Sequence, residues 1–439
     1  MEGIVMTAQL LLGLSILVGL HELGHLLAAK AFGMRVEKYS IGFPPKVWGR
    51  KFGETEYSIG MIPLGGFVKI SGMIDESLDV KTMGEEPQPW EFRAKPAWQR
   101  LIVMMGGIIV NVITGIVVFI ILTYSQGETY ISKSEINKYG IVAQDLGLQL
   151  GFQTGDRIVN INGADYDKFT DLVSGDVILS SDGYYTVERD GQQIRIDIPN
   201  DFINNFSDRD NRPAFIFYRS PFEVGRVAAG SNADKAGIKT GDRFESLDGN
   251  PITFFDEFAA HLQANKGKSI QAVVQREGAS VKLAIEVTEE GTIGFAVNEL
   301  IERTHVDYSL GQSISLGSVQ AFNVVWVNIK AFRKMFSGDA SPSKSLSGPI
   351  GIAKFFGGTW DWLNFWYIVG LLSMVLAFMN FLPIPALDGG HVVFLTWEMV
   401  SGRKPSDKFL ENAQKVGMIL LLAIMAYAII NDISKFDFF

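Results

Sequence analysis

The chain of 439 residues contains no cysteine and no basic tract. Without cysteine there are no disulfides and no thiolate metal sites, so any metal must be held by histidine and carboxylate groups. The net charge of −9, without a basic tract, argues against nucleic acid as a partner. Charged residues make up only 20% of the chain, whereas hydrophobic residues make up 47%. This balance indicates a protein that contacts the lipid bilayer.

Four stretches are apolar enough to cross a bilayer core about 30 Å thick. They run from about residue 4 to 31, 101 to 124, 365 to 382 and 416 to 430. A cleaved signal peptide is the alternative for the first stretch, but it requires a cationic start. Residues 1–10 contain neither lysine nor arginine. We therefore expect four transmembrane helices.

Basic residues are unevenly distributed around these stretches. Residues 33–97 carry nine lysines or arginines, and four more lie between the third and fourth stretches. The N-terminal tip has none, and the C-terminal tail has one. The positive-inside rule places both basic loops in the cytoplasm, and the termini and the central region outside. Four basic residues before the third stretch conflict with this orientation: Arg333, Lys334, Lys344 and Lys354.

The central region contains an internal repeat. The sequence Gly-Phe-Gln-Thr-Gly-Asp-Arg at 151–157 recurs as Gly-Ile-Lys-Thr-Gly-Asp-Arg at 237–243, and each copy leads into Asn-Gly or Asp-Gly. Such dipeptides after a β-rich run predict tight turns. The pattern resembles the PDZ domain and predicts two tandem α+β domains. PDZ domains bind peptide termini by strand addition, and spacer domains without ligands are the alternative.

Two further segments have recognisable patterns. Residues 54–72 read as strand, turn and strand, and this apolar β-hairpin is either membrane-associated or on the cytoplasmic surface. Residues 312–336 have an apolar face at helical spacing, which predicts an amphipathic helix on the outer membrane surface.

The strongest motif is His21-Glu22-Leu23-Gly24-His25 within the first apolar stretch. Residues four apart share one face of a helix, so the two imidazoles can hold one Zn²⁺. Glu22 lies beside them and can act as the general base. A charged residue at the centre of a span costs about 2.5–3.5 kcal/mol on insertion scales, so such residues are usually functional. The alternative is a helix end at the cytoplasmic interface.

A catalytic zinc site needs a third protein ligand. The motif at 380–391 reads Asn-Phe-Leu-Pro-Ile-Pro-Ala-Leu-Asp-Gly-Gly-His, and its prolines end the helix and free the chain to turn back. Either Asp388 or His391 could coordinate. For Asp388 the alternative is a helix N-cap.

Together these motifs resemble the site-2 protease family, of the regulator of sigma E protease type, over essentially the whole chain. That family pairs His-Glu-x-x-His with a later Asn-x-x-Pro-x-Pro-x-Leu-Asp-Gly motif. It has PDZ domains between spans two and three, and this subgroup has four spans. The resemblance implies that His21, His25 and Asp388 are the zinc ligands and that Glu22 is the catalytic acid/base.

The resemblance also implies substrate-binding residues. Asn380 matches a substrate-contacting asparagine, and Asn111 ends the Gly-x-x-x-Asn element of span two, where Ile108 replaces the proline of many relatives. The hairpin resembles a membrane-re-entrant β-loop. Further substrate contacts are expected at the glycines of the hairpin turn and the prolines of the span-three motif: Gly65, Gly66, Pro383 and Pro385.

The sequence thus predicts a polytopic α-helical membrane protein with a membrane-associated β-hairpin and two PDZ-like domains. The expected segments are an N-terminal membrane segment (1–125), a first and a second PDZ-like domain (126–220 and 221–310), a surface helix with connector (311–360), and a C-terminal membrane segment (361–439).

The implied function is an intramembrane zinc endopeptidase in the bacterial inner membrane, with its PDZ-like domains on the extracytoplasmic side. Its implied substrates are single-span proteins, such as anti-sigma factors or remnant signal peptides, already trimmed by a site-1 protease. The alternative is a PDZ-bearing membrane scaffold or receptor with a structural or inactive metal site. The intact Glu22 argues against that alternative.

Overall fold

The computed structural model describes residues 1–73, 86–207 and 215–434. The helices are numbered α1 to α14 in chain order: Glu2–Ala31, Ala97–Gln126, Lys133–Tyr139, Asp145–Leu150, Phe169–Leu172, Gly175–Ile178, Asn232–Lys235, Phe255–Ala264, Leu310–Ser337, Pro342–Ser345, Pro349–Phe355, Trp362–Phe381, Asp388–Ser401 and Asp407–Ser434. Short 3₁₀ helices span Phe92–Ala94 and Phe202–Ser207.

The strands are numbered β1 to β15 in the same way: Val36–Phe52, Thr55–Ile70, Glu128–Tyr130, Ile141–Ala143, Arg157–Ile161, Tyr184–Arg189, Gln192–Asp197, Ile216–Tyr218, Phe222–Val227, Arg243–Leu247, Asn250–Pro251, Ser269–Arg276, Ala279–Glu286, Phe295–Glu299 and Thr304–Val306. The chain divides into two compact units, one formed by Met1–Gly127 with Asp307–Phe439 and the other by Glu128–Val306.

The first unit contains the apolar helices. In the part of the chain that the structure describes, four helices are long and apolar enough to cross a membrane, namely α1, α2, α12 and α14, in agreement with the four predicted stretches. Helix α9 packs lengthwise against α2, where Gly317 meets the main chain of Ile120, and Phe332 contacts Phe378 of α12. Its placement on the outer membrane surface stays a prediction.

The β-sheet of this unit differs from the predicted hairpin. The strand-turn-strand pattern of residues 54–72 predicts that residues 57–62 pair with residues 67–70. In the structure, residues 36–41 of β1 lie between these two segments. Tyr39 of β1 is opposite Val68 on one side and Tyr57 on the other. The chain bends back at Gly42, whose φ of +88° favours glycine. A Cβ at this position would lie 2.8 Å from the carbonyl oxygen of Gly60. The predicted hairpin pairing was wrong. Residues 63–66 resemble a tight turn, which predicts that the segments on either side pair with each other, but both segments pair with the preceding strand β1.

The second unit holds two hydrophobic clusters. One is built from residues between Ile131 and Ile216 together with Ile301, and the other from residues between Phe222 and Ile293. The first cluster surrounds the sheet β5-β6-β7, and the second surrounds β11-β10-β12-β13.

The sequence repeat corresponds to a repeated ion pair in this unit. In the first copy, the guanidinium of Arg189 donates to both carboxylate oxygens of Asp156 at 2.7 Å, and to the carbonyl of Gly151 at 2.8 Å. In the second copy, Arg276 makes the same three hydrogen bonds to Asp242 and Gly237, at 2.7, 2.7 and 2.8 Å. Both aspartates are buried, and bidentate pairing of this kind compensates for the cost of burying their charge.

Candidate active site and metal centre

Three side chains from distant parts of the chain meet inside the first unit. The Nε2 atom of His21 lies 3.2 Å from Oδ2 of Asp388, and the Nε2 atom of His25 lies 3.4 Å from the same oxygen. The two Nε2 atoms are 3.3 Å apart. One ligand atom from each of the three residues lies within 4.8 Å of the others.

The two imidazoles come from successive turns of α1, as the spacing predicts. Their rings are nearly perpendicular, with an interplanar angle of 85°. Glycines let α2 approach this face of α1: a Cβ on Gly24 would lie 2.2 Å from the carbonyl oxygen of Gly106. A Cβ on Gly107 would lie 2.5 Å from Nε2 of His25. The motif therefore needs small residues on both helices as well as its histidines.

Asp388 is brought to the imidazoles by the break between α12 and α13. Helix α12 ends at Phe381, and after Pro383 and Pro385 the left-handed Ala386, with φ of +80°, precedes the start of α13 at Asp388. The N-cap position of α13 is Leu387, and it makes no side-chain hydrogen bond. The Asp388 carboxylate is thus not a helix cap, and it points at the histidines instead.

The donor set fits a zinc ion. The Oδ2 atom of Asp388 is buried and makes no hydrogen bond, although it lies close to two imidazole nitrogens. A buried carboxylate oxygen without a hydrogen bond destabilises the protein unless a cation compensates its charge. Two histidine nitrogens and one carboxylate oxygen are the protein ligands of a hydrolytic zinc site, which keeps a further position open.

A cavity of 440 Å³ opens on this cluster. Glu22 and Asn380 line it, together with part of β2, and its wall is otherwise mainly apolar. The Nδ2 atom of Asn380 lies 3.3 Å from Nε2 of His21. His391 also lines the cavity, but in the described part of the chain the three-residue ligand group contains Asp388 and not His391.

The other predicted substrate-binding residues have different surroundings. Gly66 lines the cavity, and a Cβ there would lie 3.6 Å from Cγ of Glu22. Gly65 instead packs against the ring of Phe43, to which a Cβ would come within 2.3 Å.

Pro383, Pro385 and Asn111 are not among the residues that line the cavity. Pro383 is exposed, whereas Pro385 lies under α14, where a Cβ on Gly417 would come within 1.6 Å of its carbonyl oxygen. Asn111 is fully buried behind His21. A substrate contact for these three residues stays a prediction.

Helix α14 supplies cavity residues that were not predicted from the sequence. Gln414 and Met418 line the cavity, and Gln414 is only 5% exposed. The apolar run was expected to begin at residue 416, which left Gln414 in a loop. A polar residue one turn before Gly417, on the face of an apolar helix, is the signal that could have identified it.

Comparison with known proteins agrees with this geometry. The model of peptidase family M50 matches residues 9–424. The regulator of sigma-E protease of Escherichia coli is 30% identical, and the alignment covers 98% of each chain. The same-named protein of Salmonella typhimurium is 28% identical, also over 98% of each chain.

A Neisseria meningitidis protein whose name contains the words zinc metalloprotease is 30% identical over 96% of this chain and 97% of its own. The family match covers nearly the whole chain and includes every residue of the metal cluster. The chain therefore belongs to peptidase family M50 and is a zinc metalloprotease of the site-2 type.

Proposed function

We propose that this protease cleaves the transmembrane segments of single-span membrane proteins. One observation carries the proposal: the cluster of His21, His25 and Asp388 lies among helices that are apolar enough to cross a membrane. A protease for water-soluble substrates does not require a metal site among membrane-spanning helices. A peptide bond within a membrane span, in contrast, can be reached only by a site within the bilayer.

In this proposal His21, His25 and Asp388 hold the zinc ion. When bound, zinc supplies Lewis acid chemistry, which acidifies water and polarises a carbonyl group. The Glu22 carboxylate accepts the proton of the attacking water and returns it to the leaving nitrogen. Glu22 lines the same cavity as the three ligands, which supports this assignment.

A transmembrane helix hides its peptide bonds in its own hydrogen bonds, so the substrate has to unwind locally before cleavage. Residues 66–70 of β2 pair with β1 along one edge, and no other strand of the described chain pairs with them. Gly66, Phe67 and Val68 line the cavity. We infer that the unwound segment adds as a further strand along Gly66, Phe67 and Val68, with Asn380 contacting it beside the zinc ligands.

The names of the relatives suggest a substrate class. The proteins from Escherichia coli and Salmonella typhimurium are each named regulator of sigma-E protease. By analogy, this chain acts in the bacterial inner membrane on anti-sigma factors or remnant signal peptides that a site-1 protease has already trimmed.

The second unit consists, in this proposal, of two PDZ-like domains on the extracytoplasmic side. The duplicated Arg–Asp pairs support two copies of one domain. These domains either exclude substrates that still carry a bulky outer domain or recruit a newly exposed peptide terminus.

Reconstitution tests the proposed function. The purified chain is placed in liposomes with a panel of tagged single-span proteins, and the products are compared with those of Glu22→Gln. Cleavage inside the apolar segment that depends on Glu22 supports the proposal. Cleavage confined to soluble regions contradicts it.

A further inference from the structure

Each imidazole of the cluster has a polar partner at the nitrogen that faces away from the other ligands. For His25, Nδ1 lies 2.8 Å from the carbonyl oxygen of Val103. A carbonyl only accepts, so Nδ1 carries the hydrogen and Nε2 keeps its lone pair. The bond behind a ligating imidazole fixes its tautomer in this way.

The corresponding partner of His21 is the side-chain amide of Asn111. Its Nδ2 atom lies 3.0 Å from Nδ1 of His21, and Asn111 has no exposed surface. If the amide nitrogen donated to Nδ1, the hydrogen of the neutral ring would be on Nε2, which faces Asp388. That tautomer cannot bind a metal through Nε2. The amide oxygen Oδ1 is meanwhile buried and has no hydrogen bond partner.

A half-turn about the Cβ–Cγ bond of Asn111 exchanges the two ends of the amide, which have nearly the same shape. We propose that Asn111 is a positioning residue whose Oδ1 accepts a hydrogen bond from Nδ1–H of His21, so that Nε2 presents its lone pair to zinc. The inference rests on the proposed ligation by His21. It assigns Asn111 a role behind the metal, as the alternative to the substrate contact that the resemblance implies.

The surroundings of Asn111 keep it at this distance. The hydroxyl of Ser373, on α12, donates to the main-chain carbonyl of Asn111 at 2.7 Å. Four residues earlier on α2, Gly107 allows the helix to approach both imidazoles. The Asn111 amide is thereby held against His21 from α2, while Asp388 and Asn380 face the opposite nitrogen of the same ring.

The experiment compares Asn111→Leu, which has no acceptor, with Asn111→Asp, which keeps acceptor oxygens in nearly the same shape. Zinc affinity is measured by competition with a chelator in the purified full-length chain, without substrate. Loss of a hydrogen bond behind a metal ligand typically lowers metal affinity about 10–100-fold. We expect that loss in Asn111→Leu and an affinity close to that of the unaltered chain in Asn111→Asp.

Thr123→Val is the matched control. Thr123 is another buried polar residue of α2, bonded to Gln320 of α9 rather than to the site, and its replacement should leave zinc affinity unchanged.

Equal losses in Asn111→Leu and Asn111→Asp would show that only packing matters and would overturn the proposal, as would unchanged affinity in both. If the leucine variant does not fold, Asn111→Ala, which also lacks an acceptor, replaces it in the comparison with Asn111→Asp. If His21→Ala retained full zinc affinity, the ligand assignment itself would fail, which distinguishes the two outcomes.

Discussion

The Nε2 atom of His21 lies 3.2 Å from Oδ2 of Asp388, although the first residue belongs to α1 and the second begins α13. The His-Glu-x-x-His motif at 21–25 and the motif at 380–391 therefore meet in the folded chain. The carboxylate oxygen has no hydrogen bond partner, and a cation held by Asp388 and the two imidazoles would compensate its buried charge. We expect the residues around this pair to divide metal binding, proton transfer and packing among them.

Replacement of Glu22 by glutamine should separate metal binding from catalysis. The amide keeps the size of the side chain but cannot accept the proton of water, and loss of a general base typically lowers turnover about 10²–10⁴-fold. Zinc content, measured by atomic absorption, should stay at one ion per chain because both imidazoles and Asp388 remain. Full turnover by the variant would rule out the assigned role of Glu22.

The third ligand can be identified by comparing Asp388→Ala with His391→Ala. Oδ2 of Asp388 lies within 3.4 Å of both imidazole nitrogens, whereas His391 lines the cavity outside the ligand group. We expect Asp388→Ala to lose zinc and His391→Ala to retain it. Metal analysis of both purified variants decides the question, and loss of zinc from the His391 variant alone would show that the assignment is wrong.

Close packing of α1 on α2 should limit substitution at Gly24. A Cβ there would lie 2.2 Å from the Gly106 carbonyl, so Gly24→Ala has to move the helices apart. We expect a loss of about 1–3 kcal/mol of stability, together with weaker zinc binding. Gly3→Ala, on the same helix with nothing within 4 Å of the added methyl, is the control. Thermal unfolding that is equally affected in both variants would contradict the packing argument.

The predicted orientation can be tested by cysteine labelling, because the chain has no cysteine of its own. Ser406, between α13 and α14, and Ser269, at the start of β12, are both exposed. An impermeant thiol reagent added to intact cells should label Ser269→Cys and spare Ser406→Cys until the membrane is opened. The opposite pattern would reverse the topology. A cysteine at Ser77, in the basic loop of residues 33–97, is likewise expected to be protected in intact cells, but Ser77 lies outside the described residues.

Deletion of residues 128–306 should distinguish a gate from a recruiting domain. If the second unit excludes substrates sterically, the shortened enzyme will still cleave a trimmed substrate and will newly cleave an untrimmed one. Both substrates are assayed with both enzymes in the same membranes, and zinc content confirms that the site is intact. Loss of cleavage of the trimmed substrate by the folded, zinc-loaded variant would favour recruitment.

The sequence by itself determined the features that depend on local spacing. The four apolar helices follow from long runs of apolar residues, and the shared face of His21 and His25 follows from the period of a helix. The duplicated Gly-Asp-Arg segments likewise indicated a repeat that the matching Arg189–Asp156 and Arg276–Asp242 pairs support. In each case the relevant residues are close in the chain or repeat in a fixed order.

Only the tertiary structure decided which distant residues meet. The residues alone left both Asp388 and His391 open, and only the family resemblance favoured Asp388. The path of the chain after α12 brings the carboxylate of Asp388 to the imidazoles. The same holds for β1, which pairs with both arms of β2, and for Asn111 behind His21. Such contacts depend on how helices and strands pack across long separations, and local periodicity carries no information about that packing.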